Sequence, residues 1–206
     1  ERVLEMCAQQ RSRSGDEPLN PQAWHDVVER LASEGQRVLA LATKPMAAGI
    51  RELSFSDVED GLVLLGLVGL IDPPREEAIA AVRECQSAGI RVKMITGDHA
   101  ATARAIARQL GLENSETVVT GQSLDALDAP ALRCVARETD VFARTTPEHK
   151  LRLVQALQAE GAVVAMTGDG VNDAPALKQA DVGVAMARNG TEAAKEAAEM
   201  VLADDN

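Results

Sequence analysis

Short apolar segments alternate with amphipathic segments along the second part of the chain, and this alternation limits the possible folds more than any other feature. Each apolar segment, such as residues 90–95 or 162–166, has the length of a buried strand and is followed by Thr, Gly or Asp. The first amphipathic segment has helical spacing, with Ala78, Ile79 and Val82 on one face. Strands that alternate with helices predict an α/β protein with a doubly wound, Rossmann-like sheet.

The composition indicates a core of aliphatic residues. Hydrophobic residues account for 46% of the 206 positions, yet the chain contains two Phe, one Trp and no Tyr. Ala, Val, Leu and Ile must therefore fill the interior, as is typical of parallel strands covered on both faces. The net charge of −11 and the scarcity of aromatic residues argue against nucleic acid and against an anionic membrane surface as partners.

The cysteines indicate a reducing, cytosolic setting. Cys7, Cys85 and Cys134 are far apart and form no CxxC pair, so neither a zinc site nor a disulfide framework is indicated.

The longest apolar run, residues 61–71, is too short to span a bilayer. The chain begins without Met, and we expect it to be a soluble fragment of a longer protein.

A pair of prolines marks a domain boundary. Pro73 and Pro74 end the apolar run before them and stiffen the joint. In the first part, residues 11–20 are predicted to form a polar loop, and Asn20 is predicted to cap a helix that begins at Pro21. The sequence thus predicts two domains, an α+β domain at residues 1–71 and the α/β domain at residues 72–206.

Polar clusters follow three of the predicted strands. In open α/β sheets, ligands bind beyond the carboxyl ends of the strands. The clusters are therefore expected to share one edge of the sheet, and their common placement matters more than any one of them. They are Thr96-Gly97-Asp98, the segment 144–150, and Gly168-Asp169-Gly170-Val171-Asn172-Asp173.

The last cluster has the residues of a phosphate and magnesium loop. Its glycines allow a tight turn and a close approach to a ligand. Asp169 and Asp173 offer the hard oxygen ligands that Mg²⁺ prefers, and Asn172 can donate its amide to a phosphate oxygen. A plain Asx-Gly turn leading into a helix is the alternative, but the complete hexapeptide after an apolar strand favours the loop.

The remaining polar residues are more ambiguous. Thr96 and Gly97 could hold a phosphoryl group, or Thr96 or Asp98 could simply cap the next helix. Lys150 lies in the first turn of a predicted helix, where a cation is unfavourable against the helix dipole, so it either neutralises a phosphoryl group or is an ordinary solvated lysine. His149 is predicted to lie at the surface.

In family order and spacing, four segments resemble the phosphorylation domain of P-type cation-transporting ATPases, within the haloacid dehalogenase superfamily. The joint at residues 72–75 resembles that of the type 2 pumps, which include the calcium pumps. The segment 35–42 resembles the end of the nucleotide-binding domain of the same pumps. The four segments are Asp72-Pro73-Pro74-Arg75, Met94-Ile95-Thr96-Gly97-Asp98, residues 142–150 (Phe-Ala-Arg-Thr-Thr-Pro-Glu-His-Lys), and residues 166–177, which include the GDGVND loop.

The resemblance implies an enzyme in which ATP phosphorylates an aspartate and water later hydrolyses the acyl phosphate. Asp169 would hold Mg²⁺, with Asp173 as the second carboxylate and a support of the loop. The phosphoryl group would be held by Thr96, Gly97, Lys150 and Asn172. The nucleotide would be positioned by Asp98, Arg144, Arg37 and Leu39, although on local pattern alone Arg37 is a surface arginine. The parent would be an ATP-driven pump whose cytosolic part this chain contributes, with ATP and Mg²⁺ as cofactors.

The chain departs from the family in lacking the Asp-Lys-Thr-Gly segment that becomes phosphorylated. In the superfamily the strand before that segment is central, between the strands predicted at residues 92–95 and 163–166. We therefore expect the isolated chain to be inactive, and to show low stability, strand exchange between copies, or direct pairing of the flanking strands. A stand-alone module that binds nucleotide or Mg²⁺ without catalysis is the alternative. A soluble phosphatase would need an Asp-x-Asp motif, which is absent.

Overall fold

The computed structural model describes residues 2–46, 52–71 and 73–205. The chain divides into two compact units, Glu1–Asp72 and Pro73–Asn206. Asp72, the first residue of the predicted Asp-Pro-Pro-Arg joint, lies outside the described residues. No helix within the described ranges combines the length and the apolar character that a membrane span requires.

A four-stranded mixed sheet with helices forms the first unit. Strand β1 pairs in antiparallel fashion with β2 and in parallel with β4, and β4 pairs in antiparallel fashion with β3, which gives the order β2-β1-β4-β3. The elements in chain order are α1 (Arg2–Met6), β1 (Cys7–Ser12), β2 (Gly15–Pro18), α2 (Pro21–Ser33), β3 (Arg37–Thr43), a 3₁₀ turn (Phe55–Asp57) and β4 (Leu62–Leu70).

Local sequence rules account for α2 but not for the hairpin before it. The side chain of Asn20 accepts a hydrogen bond from the N–H of Ala23, so the predicted cap is confirmed. The prediction of a loop at residues 11–20 is wrong, because β1 continues to Ser12 and β2 follows. Their pairing is a tertiary feature, since β1 is held on its other side by β4, more than 50 positions along the chain.

The second unit alternates strands and helices, and the predicted α/β class is confirmed. A 3₁₀ turn (Val171–Asp173) lies between β8 and α8. The elements in chain order are α3 (Glu76–Ser87), β5 (Met94–Ile95), α4 (Ala100–Leu110), β6 (Val118–Thr120), α5 (Gly121–Asp125), α6 (Ala129–Glu138), β7 (Val141–Ala143), α7 (Pro147–Ala159), β8 (Ala165–Gly168), α8 (Ala174–Gln179), β9 (Val182–Met186), α9 (Glu192–Ala197) and β10 (Met200–Leu202).

The parallel strands of this unit form two three-stranded sheets, with the orders β5-β7-β6 and β10-β9-β8. In the first sheet, Val141 and Ala143 pack with α3 and α4, whereas Phe142 packs on the opposite face with α6 and α7. Helices on both faces of a parallel sheet are the doubly wound arrangement. Among the described residues, β5 pairs only with β7 and β8 only with β9, so direct pairing of the flanking strands does not occur.

The strands β5 and β8, which lie on either side of the break between the two sheets, are shorter than their apolar runs predict. The run at residues 90–95 forms a ladder only at Met94 and Ile95. The run at 162–166 is paired as β8 only from Ala165. At the entrance to β8, the N–H of Val164 donates to a carboxylate oxygen of Asp181 at 2.8 Å, so a side chain replaces the first step of the ladder.

Candidate functional site

The loops that follow β5 and β7 are joined by backbone hydrogen bonds. The N–H of Thr145 donates to the carbonyl of Thr96 at 3.1 Å, and its hydroxyl donates to the same oxygen at 3.0 Å. The N–H of Arg144 donates to the carbonyl of Asp98 at 3.0 Å. Two of the three predicted polar clusters therefore meet at the carboxyl edge of the first sheet, as adjacent parallel strands require.

An ion pair connects the third cluster to this edge. The ammonium of Lys150, at the start of α7, lies 2.6 Å from Oδ1 of Asp173. The N–H of Gly170 donates to Oδ2 of Asp173 at 3.1 Å. Both carboxylate oxygens of this buried residue are thus engaged, one by a cation and one by the loop backbone. The side chain of Asp173 supports the loop and holds Lys150 at its mouth.

The loop after β8 can close only because Gly168 has no side chain. A Cβ atom at that position would lie 2.6 Å from Cβ of Asp173 and 2.8 Å from its Cγ. Farther along the loop, the carbonyl of Asp169 accepts from the N–H of Thr191 at 2.8 Å, which ties the loop to the start of α9. The side chains of Asp169 and Asn172 are exposed. The loop therefore presents a carboxylate and an amide to solvent from an anchored backbone.

The loop after β5 is a turn stabilised by Thr96. Its hydroxyl accepts from the N–H of Asp98 at 3.1 Å and lies 3.2 Å from a carboxylate oxygen of Asp98. The alternative that Thr96 or Asp98 caps the next helix is wrong, because His99 takes the cap position and its Nδ1 accepts from the N–H of Ala101. A Cβ atom at Gly97 would meet nothing within 4 Å, so its backbone faces open space.

Arg144 has an unusual backbone conformation, with φ of 52°. Few residues other than glycine adopt the left-handed region, and those that do are frequent in functional loops. Its N–H is fixed by Asp98, and its carbonyl lies so close to Gly121 that a Cβ there would overlap the oxygen. The strained residue is therefore held through both of the peptide units that flank its Cα.

His149 is buried, and the prediction that it lies at the surface is wrong. The residue is 5% exposed, and its Nε2 lies 2.7 Å from Oδ1 of Asp125 at the end of α5. Its Nδ1 accepts from the N–H of Thr146 at 3.0 Å. Sequence reasoning missed this contact because α5 was not predicted and Asp125 is 24 positions away. Its place three residues after Thr146, within a capping box, was the available signal.

Two of the predicted nucleotide residues lie in the first unit. Arg37 and Leu39 alternate along β3 and share one face, where they stand opposite Leu70 and Val68 of β4. Leu39 is 48% exposed, and Val68 and Leu70 are exposed to a similar extent. This face of the sheet therefore presents an apolar surface beside an arginine.

No group of three His, Cys, Asp or Glu side chains converges as a metal site within the part of the chain that the structure describes. The carboxylate of Asp169 is nevertheless accessible, and Asp173 lies within the same six-residue loop. Mg²⁺ is usually bound by one or two carboxylates, with water and phosphate oxygens as the other ligands. The donor set of the loop fits this cation in oxygen chemistry.

Two family models match the chain. The model of the haloacid dehalogenase-like hydrolases matches residues 47–181. The model described as P-type ATPase, cytoplasmic domain N, matches residues 1–77. The two matches overlap near the boundary between the two units and together cover most of the chain.

Curated relatives are similar over most or all of the chain. A cation-transporting ATPase, pma1, of Synechocystis is 52% identical over 87% of this chain and 20% of that protein. The probable cation-transporting ATPase F of Mycobacterium tuberculosis is 51% identical over 100% of this chain and 23% of that protein. A calcium-transporting ATPase of Bacillus subtilis is 51% identical over 87% of this chain and 20% of that protein. The chain spans about a fifth of the length of these relatives.

Proposed function

Because the chain belongs to the haloacid dehalogenase-like hydrolases and contains cytoplasmic sequence of the P-type ATPases, we propose that it is part of an ATP-driven cation pump. The parent protein would form an aspartyl phosphate and act at the cytosolic face of a membrane. Residues 1–71 would be the end of its nucleotide-binding domain, and residues 72–206 most of its phosphorylation domain. The observation that best supports this proposal is the 2.6 Å ion pair between Lys150 and Asp173, which joins the loops after β7 and β8.

The phosphoryl group would be held by residues of these loops. The hydroxyl of Thr96 and the N–H of Gly97 would donate to its oxygens from the β5 side. The ammonium of Lys150 would offset the negative charge that builds up during transfer, and the amide of Asn172 would donate from the β8 side. The contact between Lys150 and Asp173 favours this arrangement, because the buried carboxylate of Asp173 holds the ammonium of Lys150 at the mouth of the loop.

P-type ATPases and haloacid dehalogenase-like proteins in general use ATP and Mg²⁺. In this chain Asp169 is proposed as the Mg²⁺ ligand, since its carboxylate is exposed on an anchored backbone. Asp173 would contribute to the metal site chiefly by shaping the loop, because Lys150 and Gly170 already occupy its oxygens. When bound, the cation would neutralise charge on the phosphate and on the attacking aspartate.

Four residues are proposed to contact the nucleotide, namely Asp98, Arg144, Arg37 and Leu39. Asp98 and Arg144 lie beside the proposed phosphoryl site, and a backbone hydrogen bond joins them. Arg37 would contact the phosphates of ATP, and the exposed side chain of Leu39 would pack on the nucleotide. The assignments of Arg37 and Leu39 rest on the resemblance of residues 35–42 to the corresponding segment of the pumps.

The segment with the phosphorylated aspartate must come from elsewhere in the parent protein. We therefore propose that the 206-residue chain takes no phosphate from ATP by itself, and that its partners are the remaining domains of the pump. Where those are absent, the sides of β5 and β8 that pair with no described strand are expected to favour strand exchange between copies.

The proposal can be tested with the chain joined to a segment that supplies the Asp-Lys-Thr-Gly sequence. This protein is incubated with Mg²⁺ and γ-labelled ATP, and acid-stable, hydroxylamine-sensitive label is counted. Asp169→Ala should reduce the label by about 100-fold or more, because a lost ligand leaves the cation weakly held. Glu113→Ala, which changes an exposed carboxylate in the turn after α4, is the matched control.

The unmodified chain should take up no label under the same conditions. Label that survives Asp169→Ala at the control level would refute the metal assignment. Absence of label in the joined protein, when its circular dichroism shows a folded structure, would refute the proposed function.

A further inference from the structure

We propose that His149 is a positioning residue, which fixes the first turn of α7 and thereby the ammonium of Lys150. This inference rests on the proposed function, because it assigns a role in the same phosphoryl site. Within the described part of the chain, the hydrogen bonds of the imidazole go to Thr146 and Asp125, and not to the loop after β8. Its effect on the chemistry must therefore pass through the helix turn that it stabilises.

The hydrogen bonds of His149 define its tautomer. The backbone N–H of Thr146 can only donate, so Nδ1, 3.0 Å away, must present its lone pair. In the neutral ring the proton then resides on Nε2, which donates to Oδ1 of Asp125 at 2.7 Å. The hydroxyl of Thr146 also accepts from the N–H of His149. The ring thus closes a reciprocal cap at the start of α7 while it reaches across to α5.

Close packing against α5 restricts the ring further. A Cβ atom at Gly121 would lie 2.7 Å from Cε1 and 2.8 Å from Nδ1 of His149, so only glycine admits the ring in this position. The same glycine contacts the carbonyl of Arg144. The short helix α5 therefore packs against both Arg144 and His149.

The next residue after the clamped histidine is Lys150. Its backbone N–H donates to the carbonyl of Thr146 at 3.2 Å, within the turn that His149 caps. A cation in the first turn of a helix is repelled by the helix dipole, so this turn does not favour the ammonium by itself. The position of the ammonium therefore depends on its ion pair with Asp173 and on a rigid first turn of α7, which holds the backbone of Lys150.

Arg152 provides an internal comparison, because its side chain joins the same two helices from the second turn of α7 and makes neither of the hydrogen bonds that cap the first turn. Its Nη2 lies 3.3 Å from the carbonyl of Leu124, and its Nη1 lies 3.8 Å from Asp125. Loss of this residue should loosen the contact between α5 and α7 as a whole. Loss of His149 should in addition release the cap beside Lys150.

Three replacements of His149 separate its two hydrogen bonds. Asn places an oxygen near the position of Nδ1, which preserves the cap but does not reach Asp125. Gln extends an amide toward Asp125 and lacks the acceptor at the Nδ1 position. Ala removes both contacts. Arg152→Gln is the matched control, and each variant is made in the 206-residue chain and in the protein that also carries the Asp-Lys-Thr-Gly segment.

Two measurements distinguish positioning from general stability. In the 206-residue chain, ¹⁵N NMR of the Lys150 ammonium reports its pairing with Asp173, and thermal unfolding reports stability. In the joined protein, the initial rate of phosphorylation is measured against ATP concentration. We expect His149→Ala to lower the maximal rate about 10- to 100-fold and to leave half-saturation by ATP within about twofold, because a displaced lysine impairs transfer more than binding.

The ammonium signal of Lys150 should broaden or shift in the Ala variant and be retained in His149→Asn, which should also recover most of the rate. Arg152→Gln should lower the unfolding temperature while both the signal and the rate are retained. An unchanged rate in His149→Ala, or an equal loss in Arg152→Gln, would overturn the inference. If the unmodified joined protein takes no label, the proposed function fails, and the NMR comparison still tests the clamp.

Discussion

Replacement of Asp140 by Asn should strongly destabilise the second unit. The carboxylate is 1% exposed and lies immediately before β7, where three side chains converge on it. Oδ1 accepts from Nε of Arg91 at 2.6 Å and from Nζ of Lys93 at 3.0 Å, and Oδ2 accepts from the amide of Asn114 at 3.1 Å. These contacts join the amino ends of β5 and β7, whereas the candidate site lies at their carboxyl ends.

The expected loss in the free energy of unfolding is about 2–4 kcal/mol. Removal of one partner of a buried ion pair typically costs about 3–5 kcal/mol, because the other charge is left uncompensated. Two features reduce this value here. The side chain of Arg91 is 39% exposed and can turn to water, and Lys93 retains the carbonyl of Thr139 at 2.6 Å. The remainder is a large part of the stability of a domain of this size.

The effect should depend on pH. Burial by itself would raise the pKa of Asp140, but hydrogen bonds from Arg91 and Lys93 outweigh it and hold that pKa below its ordinary value. A lowered pKa in the folded state contributes stability above the ordinary value, about 3.9, and this contribution disappears as the pH falls through the folded-state pKa. The difference between wild type and Asp140→Asn should therefore be complete at pH 6 and shrink below about pH 4.

Urea unfolding followed by circular dichroism, with hydrogen exchange at the amides of β7, measures this difference. The fluorescence of Trp24 is unsuitable, since the only tryptophan of the chain belongs to the first unit. Asp16→Asn, which removes an exposed partner of Arg11 on the β1–β2 hairpin, is the control and should leave β7 exchange unchanged. A loss below about 0.5 kcal/mol at pH 6, or a loss that persists in full at pH 3, would refute the reasoning.

Three further predictions concern the loop, the open strands and the cysteines. Gly168→Ala should destabilise the second unit by about 1–3 kcal/mol in urea unfolding, because the new methyl group would overlap Asp173; an unchanged midpoint would show that the loop yields easily. The chain should self-associate with concentration in sedimentation velocity, and Val163→Lys, at an 85% exposed position before β8, should reduce this; association of equal strength in both would exclude the open strand as the contact. Exposed Cys134 should react with a thiol reagent well before Cys7, whose burial raises its pKa; equal rates in the folded chain would contradict the structure.

Features that depend on neighbouring residues could be predicted from the sequence. The α/β alternation, the cap of α2 at Asn20 and the polar loops after three strands are examples, and each is confirmed where the structure describes it. Helical periodicity and capping act within one or two turns, so a short window of sequence contains the necessary information. The GDGVND loop also belongs to this class, because its glycines and carboxylates are consecutive.

Contacts between distant residues were decided only by the tertiary structure. Lys150 meets Asp173 across 23 positions, His149 meets Asp125 across 24, and Arg91 meets Asp140 across 49. No local pattern states which of many charged residues will be partners. The division of the parallel strands into two sheets is different, because the missing central strand already indicated an interruption between β5 and β8. The sequence by itself determined which chemical groups end each strand. Packing of the helices on those strands determined which groups meet, because only a shared core brings distant segments within hydrogen-bonding distance.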